Sequence, residues 1–205
     1  MLEHVPEWLG RAIRDLRAGG DKLCVAQPGL GARFGAIGLT SPAFAHGGRI
    51  PARFTADGEG VSPPLLWDAP PEGTLSLALI VEDADSPSPQ PLVHAIVWNI
   101  DPGERALAEG AIGDGGAGRR GRNSYFRDGW LPPDPPTGHG PHGYAFQLFA
   151  LAAEPELEGR PGRSTLVEAM AGHVLAAGLL VGTYSRGEEA MVGPAAARAA
   201  PARPR

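Results

Sequence analysis

Glycine and proline punctuate this chain more densely than a helical architecture tolerates: 30 Gly and 22 Pro fall among its 205 residues. In a helix interior Gly costs about 1 kcal/mol relative to Ala and Pro about 3 kcal/mol, the first through backbone entropy and the second through a missing N–H and a ring clash. A bundle or coiled coil is excluded, and short strands joined by turns are favoured. The same load borders on the composition of low-complexity chains. Against that, 42% of residues are hydrophobic and only 20% charged, and the apolar ones gather in runs such as Leu75–Val81 and Phe146–Leu151. A folded, mainly β domain with extensions is the expectation, large enough to bury roughly 70% of its unfolded surface without metal or disulfide.

Net charge is -5, from 18 Lys+Arg against 23 Asp+Glu, which argues against general nucleic-acid binding, a task that needs a basic footprint. Cys24 has no second cysteine to pair with, which fits a reducing compartment. The first ten residues carry acids where a secretory leader needs bases and lack a continuous apolar stretch, so the expected location is cytoplasmic. Ala169 to Tyr184 is the longest apolar stretch; His173 and interspersed glycines keep it short of the roughly 20 apolar residues of a membrane span.

Residues 5–17 place Val5, Trp8, Leu9, Ile13 and Leu16 on one helical face and charges on the other. This amphipathic helix ends at Gly19-Gly20 and offers a surface for packing on the domain or for a homodimer. A Gly-rich connector, Pro28 to Gly38, completes an amino-terminal extension over 1–36. The β domain is expected over 37–190, with strands at Arg49–Thr55, Leu65–Trp67, Leu75–Glu82, Val93–Ile100, Tyr144–Leu151 and Leu179–Ser185. Leu75–Glu82 and Val93–Ile100 are apolar enough to be central strands buried on both faces. A helix is expected from Ser164-Thr165, where Thr165 and Glu168 have capping-box spacing; Leu166, Met170, His173 and Val174 would form its buried face, and it would fade near Gly178. Residues 191–205, rich in Ala, Pro and Arg, have no periodicity and read as a disordered tail.

Among the histidines, His94 sits in an apolar strand where a buried imidazole needs a hydrogen-bond partner. His139 and His142 lie in the Pro- and Gly-rich window Trp130–Tyr144, which can present side chains rigidly without regular structure because each Pro fixes φ. With the window's end extended, His142 and Tyr144 point to one face. His139 and His142 with His94 and Asp83 make only a weak metal set, and the nucleophile elbow, Walker loop and H-E-x-x-H motifs are missing. Neither a metal nor another cofactor is expected, and nothing in these motifs demands an enzyme.

Asp57-Gly-Glu-Gly-Val-Ser-Pro-Pro-Leu-Leu-Trp67, Val81-Glu-Asp-Ala-Asp-Ser-Pro87, His94 opening a strand toward Asn99, and Pro135-Pro-Thr-Gly-His-Gly-Pro-His-Gly-Tyr144 together resemble the bacterial branch of the phosphatidylethanolamine-binding protein family, which includes the Raf kinase inhibitor protein. The resemblance runs from about Ile37 to Arg186. It implies a large, mostly antiparallel central sheet with a smaller second sheet and few helices. It also implies a pocket for phosphate or phospholipid head groups at Asp83, Asp85, Pro87, His94, Pro136, His142 and Tyr144, and inhibition of a kinase or protease among its relatives. Two imidazoles near a carboxylate can supply N–H donors to phosphate oxygens.

The chain departs from the family pattern at Ala84 (for Pro), Ala95 (for Trp), Gly143 (for Arg) and Trp130 with Pro132 (for Tyr and Gly). Loss of the Arg removes a bidentate anion partner or a salt-bridge clamp; Arg119, Arg120, Arg122 and Arg127 are candidates to compensate, but a solvated basic loop is the preferred reading of that cluster. The competing function is hydrolysis of a phosphate ester by the His pair, with or without a metal. A third reading leaves an interaction protein with a vestigial pocket.

Overall fold

The computed structural model describes residues 19–31, 34–113 and 116–186. The helix expected at 5–17 and the tail at 191–205 lie outside the described residues. Among the described residues, strands run at β1 (Gly35–Ala36), β2 (Leu39–Thr40), β3 (Leu65–Trp67), β4 (Ser76–Asp83), β5 (Leu92–Ile100), β6 (Ala106–Leu107), β7 (Arg119–Arg120), β8 (His142–Leu151) and β9 (Val174–Tyr184), with one α-helix, α1 (Arg163–Met170), before β9. A six-stranded sheet has the order β1-β9-β8-β4-β5-β7, and a three-stranded sheet the order β2-β3-β6. β1 pairs in parallel with β9, and the other strand pairs among the described residues are antiparallel. The expected mainly β fold, with one large and one small sheet and a helix in the C-terminal half, is the fold observed.

Two separate cores explain why the central strands are apolar at nearly every position. Side chains alternate across a strand, so Leu77, Leu79 and Val81 join the core beneath the small sheet, with Leu65 and Trp67. Ala78 and Ile80 enter a second core on the opposite face, covered by Leu166 and Met170 of α1 and by Leu23, Val25 and Leu30. Every residue of β4 and of β8 is buried. Each large aliphatic side chain so placed contributes about 1.5–3 kcal/mol relative to its exposed state.

Residues 20–30 form short 3-10 turns tied to the second face through a buried carboxylate. Glu82 is fully buried; its Oε2 accepts from Cys24 N–H and from Gln147 Nε2, each at 2.7 Å. Oε1 accepts from Arg163 of α1, and Gln147 Oε1 takes the Val25 N–H at 2.8 Å. The Cys24 thiol, enclosed here beside Glu82, has its pKa pushed well up by burial, so it stays protonated and is a poor nucleophile.

Two expected elements differ. Arg49–Thr55 is not a strand: Pro51, which has no N–H to give a ladder, leads into a 3-10 turn at Ala52–Phe54, leaving a single bridge from Arg49 to Thr183. The helix does not continue to Gly178. It stops at Met170, its N-cap is Gly162 with no side-chain cap, and Gly172 follows at φ +75°, a conformation that closes helices and that glycine adopts at no steric cost. His173 is therefore exposed, and Val174 starts a strand hydrogen-bonded to β8 along its length. Gly182 in that strand has a packing reason: a Cβ there would sit 2.5 Å from Ile50 Cγ1 and 2.7 Å from the Phe44 ring. Among the described residues no helix is long and apolar enough to cross a membrane.

Candidate functional site

Strand register alone brings several of the expected residues to one end of the sheet. Asp83 on β4 pairs with Tyr144 on β8 and with Leu92 on β5. Directly paired residues share a face, and His142, two residues before Tyr144, shares it too. His94 arrives differently. Val81 pairs with Ala95 and Glu82 with Val93, so His94 is the extra residue of a β-bulge, a feature that re-aims a side chain. These side chains line a cavity of about 240 Å³ closed by Pro87, Leu131, Pro132, Asp134, Pro135 and Pro136.

Of the seven expected site residues, six (Asp83, Pro87, His94, Pro136, His142 and Tyr144) line this cavity. Asp85 does not. Its Oδ2 accepts the Gly143 N–H at 2.7 Å, and it borders a neighbouring depression with Gly19, Lys22 and Ser88. Asp83 Oδ1 accepts the Asp85 N–H at 2.9 Å, and Ala84 donates its N–H to Gly143 O at 3.1 Å. The loop is thus stitched to β8 through Gly143. A proline at 84 has no N–H and could not make that bond; this is what the Ala84 departure does.

The imidazoles have distinct hydrogen-bonding states. His94 Nδ1 lies 2.7 Å from Leu131 O. A carbonyl only accepts, so Nδ1 carries the proton. Burial pushes the His94 pKa below its ordinary value, against the raising effects of that bond and of Asp83. The ring is neutral at pH 7, and its Nε2, buried without a protein partner among the described residues, is an acceptor rather than the donor expected from the sequence. His142 Nδ1 lies 2.7 Å from Asp83 Oδ2, and His142 Nε2 lies 2.7 Å from His139 Nδ1. Tyr144, edge-on to His94 with ring centroids 5.1 Å apart, has its pKa driven far up by burial and then by Asp83, so its hydroxyl stays a donor.

Trp130 packs beside His94 and stacks on Phe146 at 5.9 Å, with its Nε1 donating to Phe54 O. The arginine cluster does not reach the cavity. Arg119 lies over Trp98 and Arg122 over Phe126, and neither these nor Arg120 and Arg127 are among the lining residues. Among the described residues no arginine lines the cavity. Among the described residues no group of three or more His, Cys, Asp and Glu is arranged to hold a metal ion.

One device on the rim went unread in the sequence. Arg186 contacts both Asp57 and Asp134, each at 2.6 Å, and donates to Pro135 O, while Tyr184 Oη donates to Asp57 Oδ2 at 2.8 Å. Arg186, then Tyr184, hold the Asp57 carboxyl below its ordinary pKa. The clamp ties the Asp57 turn and the Asp134–Pro136 wall to the end of β9. Its only sequence signal was that Asp57 and Arg186 both stand in segments carrying the family resemblance.

A family model described as phosphatidylethanolamine-binding protein matches residues 40–185. A UPF0098 protein of Methanothermobacter thermautotrophicus is 41% identical over 156 residues, 74% of this chain and 100% of its own length. One from Mycobacterium tuberculosis is 41% identical over 147 residues, 71% of this chain and 69% of its own. Among solved structures, a phosphatidylethanolamine-binding protein homologue from Chlamydia trachomatis superposes with a TM-score of 0.69 at 38% identity, covering 74% of this chain and 98% of that one. Escherichia coli YbcL, described as a member of the mammalian PEBP family, gives a TM-score of 0.67 at 25% identity over 73% of this chain and 98% of its own.

Proposed function

The chain belongs to the phosphatidylethanolamine-binding protein family, and from that premise we propose that its cavity binds a phosphate-like group, as the free anion or as a phospholipid head group. The observation that carries this reading is the convergence of Asp83, His94, His142 and Tyr144 on one cavity, with a buried His94 nitrogen left unpartnered. Burying such a nitrogen costs free energy until a ligand satisfies it. A neutral His94 accepts, so it favours a phosphate oxygen that carries a proton, while Tyr144 donates to an unprotonated one. Asp83 and Asp134 at the cavity wall oppose a dianion and favour the same singly charged form. A regulatory role toward a kinase or protease belongs to this proposal too: an acidic or phosphorylated side chain of the partner would enter the same cavity.

Hydrolysis is the competing reading, since Asp83 and His142 form the carboxylate–imidazole half of a general-base pair. Calorimetric titration with inorganic phosphate and phosphoethanolamine separates the two. Binding is expected to the native chain and to vanish in His94→Ala and His142→Ala while circular dichroism stays native. Unchanged affinity in both variants overturns the pocket assignment; turnover of an aryl phosphate that disappears in His94→Ala replaces binding with hydrolysis.

A further inference from the structure

His142 is the one imidazole on the cavity wall held by a carboxylate, yet neither of its ring nitrogens is free. A carboxylate only accepts, so the 2.7 Å contact with Asp83 Oδ2 uses the Nδ1–H. The other nitrogen, Nε2, is engaged by His139 Nδ1 at the same distance, with the two ring centroids 5.0 Å apart and tilted by 54°. In this arrangement His142 can touch a ligand only through carbon. The two partners are held very differently. Asp83 is buried on a central strand and is itself fixed by the Asp85 N–H. His139 is exposed, on a turn between Gly138 and Gly140, both at positive φ, and its main-chain N–H donates to Pro136 O at 3.2 Å. Among the described residues its ring makes no other hydrogen bond.

We infer that His139 is a displaceable cap on His142, a residue that sets the affinity of the cavity without belonging to its wall. Its side chain rotates off Nε2 into solvent when a ligand arrives, and His142 then presents Nε2 to a phosphate oxygen while Asp83 continues to hold Nδ1. The exchange trades one hydrogen bond for another, so the cap lowers apparent affinity by the strength of the bond that must first open. A typical net hydrogen bond corresponds to roughly a two- to tenfold change. The turn keeps its backbone bonding whatever side chain stands at 139, because the Pro136 contact uses the main chain alone.

This inference rests on the phosphate reading above, and its test separates the two. Long-range proton–nitrogen spectra of the histidine rings are recorded on the ligand-free native chain and on His139→Ala, and both proteins are titrated calorimetrically with inorganic phosphate. In the variant the His142 Nε2 signal is expected to move to that of an unbonded nitrogen while Nδ1–H keeps its carboxylate-bonded shift, and phosphate is expected to bind roughly two- to tenfold tighter. An unmoved Nε2 signal overturns the cap. So does unchanged or weaker phosphate binding in the variant when the native chain binds, the weaker case making His139 a direct ligand contact. If phosphate binds neither protein, the phosphate reading fails and the ring spectrum alone decides the cap: a moved signal supports it and an unmoved one overturns it.

Discussion

Asp83 Oδ2 accepts a hydrogen bond from His142 Nδ1 at 2.7 Å, with side-chain exposures of 5% and 2%. The bond crosses from β4 to β8 between diagonal neighbours on one sheet face, and it orients the His142 ring across the cavity wall. Because Asp83 Oδ1 also accepts the Asp85 N–H, one carboxylate fixes both the imidazole and the start of the Asp83–Pro91 loop.

Replacing Asp83 by Ala leaves the His142 Nδ1–H and the Asp85 N–H without acceptors. His142 is buried, and a buried donor stranded in this way costs about 1–3 kcal/mol; the Asp85 N–H, on a half-buried residue, adds less. Urea unfolding should show a loss of that order with an unchanged m-value. A loss below about 0.5 kcal/mol, within the range of ordinary surface substitutions, would mean that the pair does not hold the loop.

His94 imposes a pH dependence with a definite sign. Its folded-state pKa is lowered by burial, so below about pH 6.5, the ordinary histidine value, the unfolded chain takes up a proton that the folded chain refuses. Stability then falls with pH from about 6.5 down to the depressed folded value, by at most about 1.4 kcal/mol per pH unit. Above pH 6.5 this residue contributes no slope. His94→Gln should flatten this part of a stability profile measured by urea unfolding between pH 5 and 8; an identical profile in the variant would assign the slope elsewhere.

Glu82, fully buried, and Arg163, whose side chain is 16% exposed, form an ion pair between the sheet and α1. Arg163→Met leaves a buried carboxylate with amide partners only, and removing one member of a buried pair typically costs about 3–5 kcal/mol. The double variant Glu82→Gln with Arg163→Met should recover a large part of that loss, since the charge is then gone as well. A thermal-unfolding cycle that finds the two substitutions additive would show that the charges do not interact.

The central strands were legible because the amount of burial was legible. Leu75–Glu82, Val93–Ile100 and Tyr144–Leu151 are apolar at most positions of both parities, as a strand covered on both faces must be. Ala169–Tyr184 was harder, because its apolar spacing suits a helix and a buried strand alike. Gly172 and the ladder with β8 decided it: the helix stops at Met170 and the remainder pairs along β8. Arg49–Thr55 looked like a strand by composition, and Pro51 turned it aside.

The local sequence also marked the cavity's walls. The Pro and Gly that would otherwise signal missing structure supply Pro87, Pro132, Pro135 and Pro136 to its lining. The state of the site was not readable there. Asp83 and His142 are separated by 59 positions and Asp57 and Arg186 by 129, so their contacts depend on which strands pair and in what register. The His94 bulge, the neutrality of its ring and the capping of His142 by His139 depend on that register too. Sequence by itself determined a two-faced β sheet and the residue types along one rim; the tertiary structure decided which nitrogen carries a proton and which atom is left for a ligand. Burial preference is a property of each residue, whereas a hydrogen bond is a property of two that only the fold brings within 3 Å of each other.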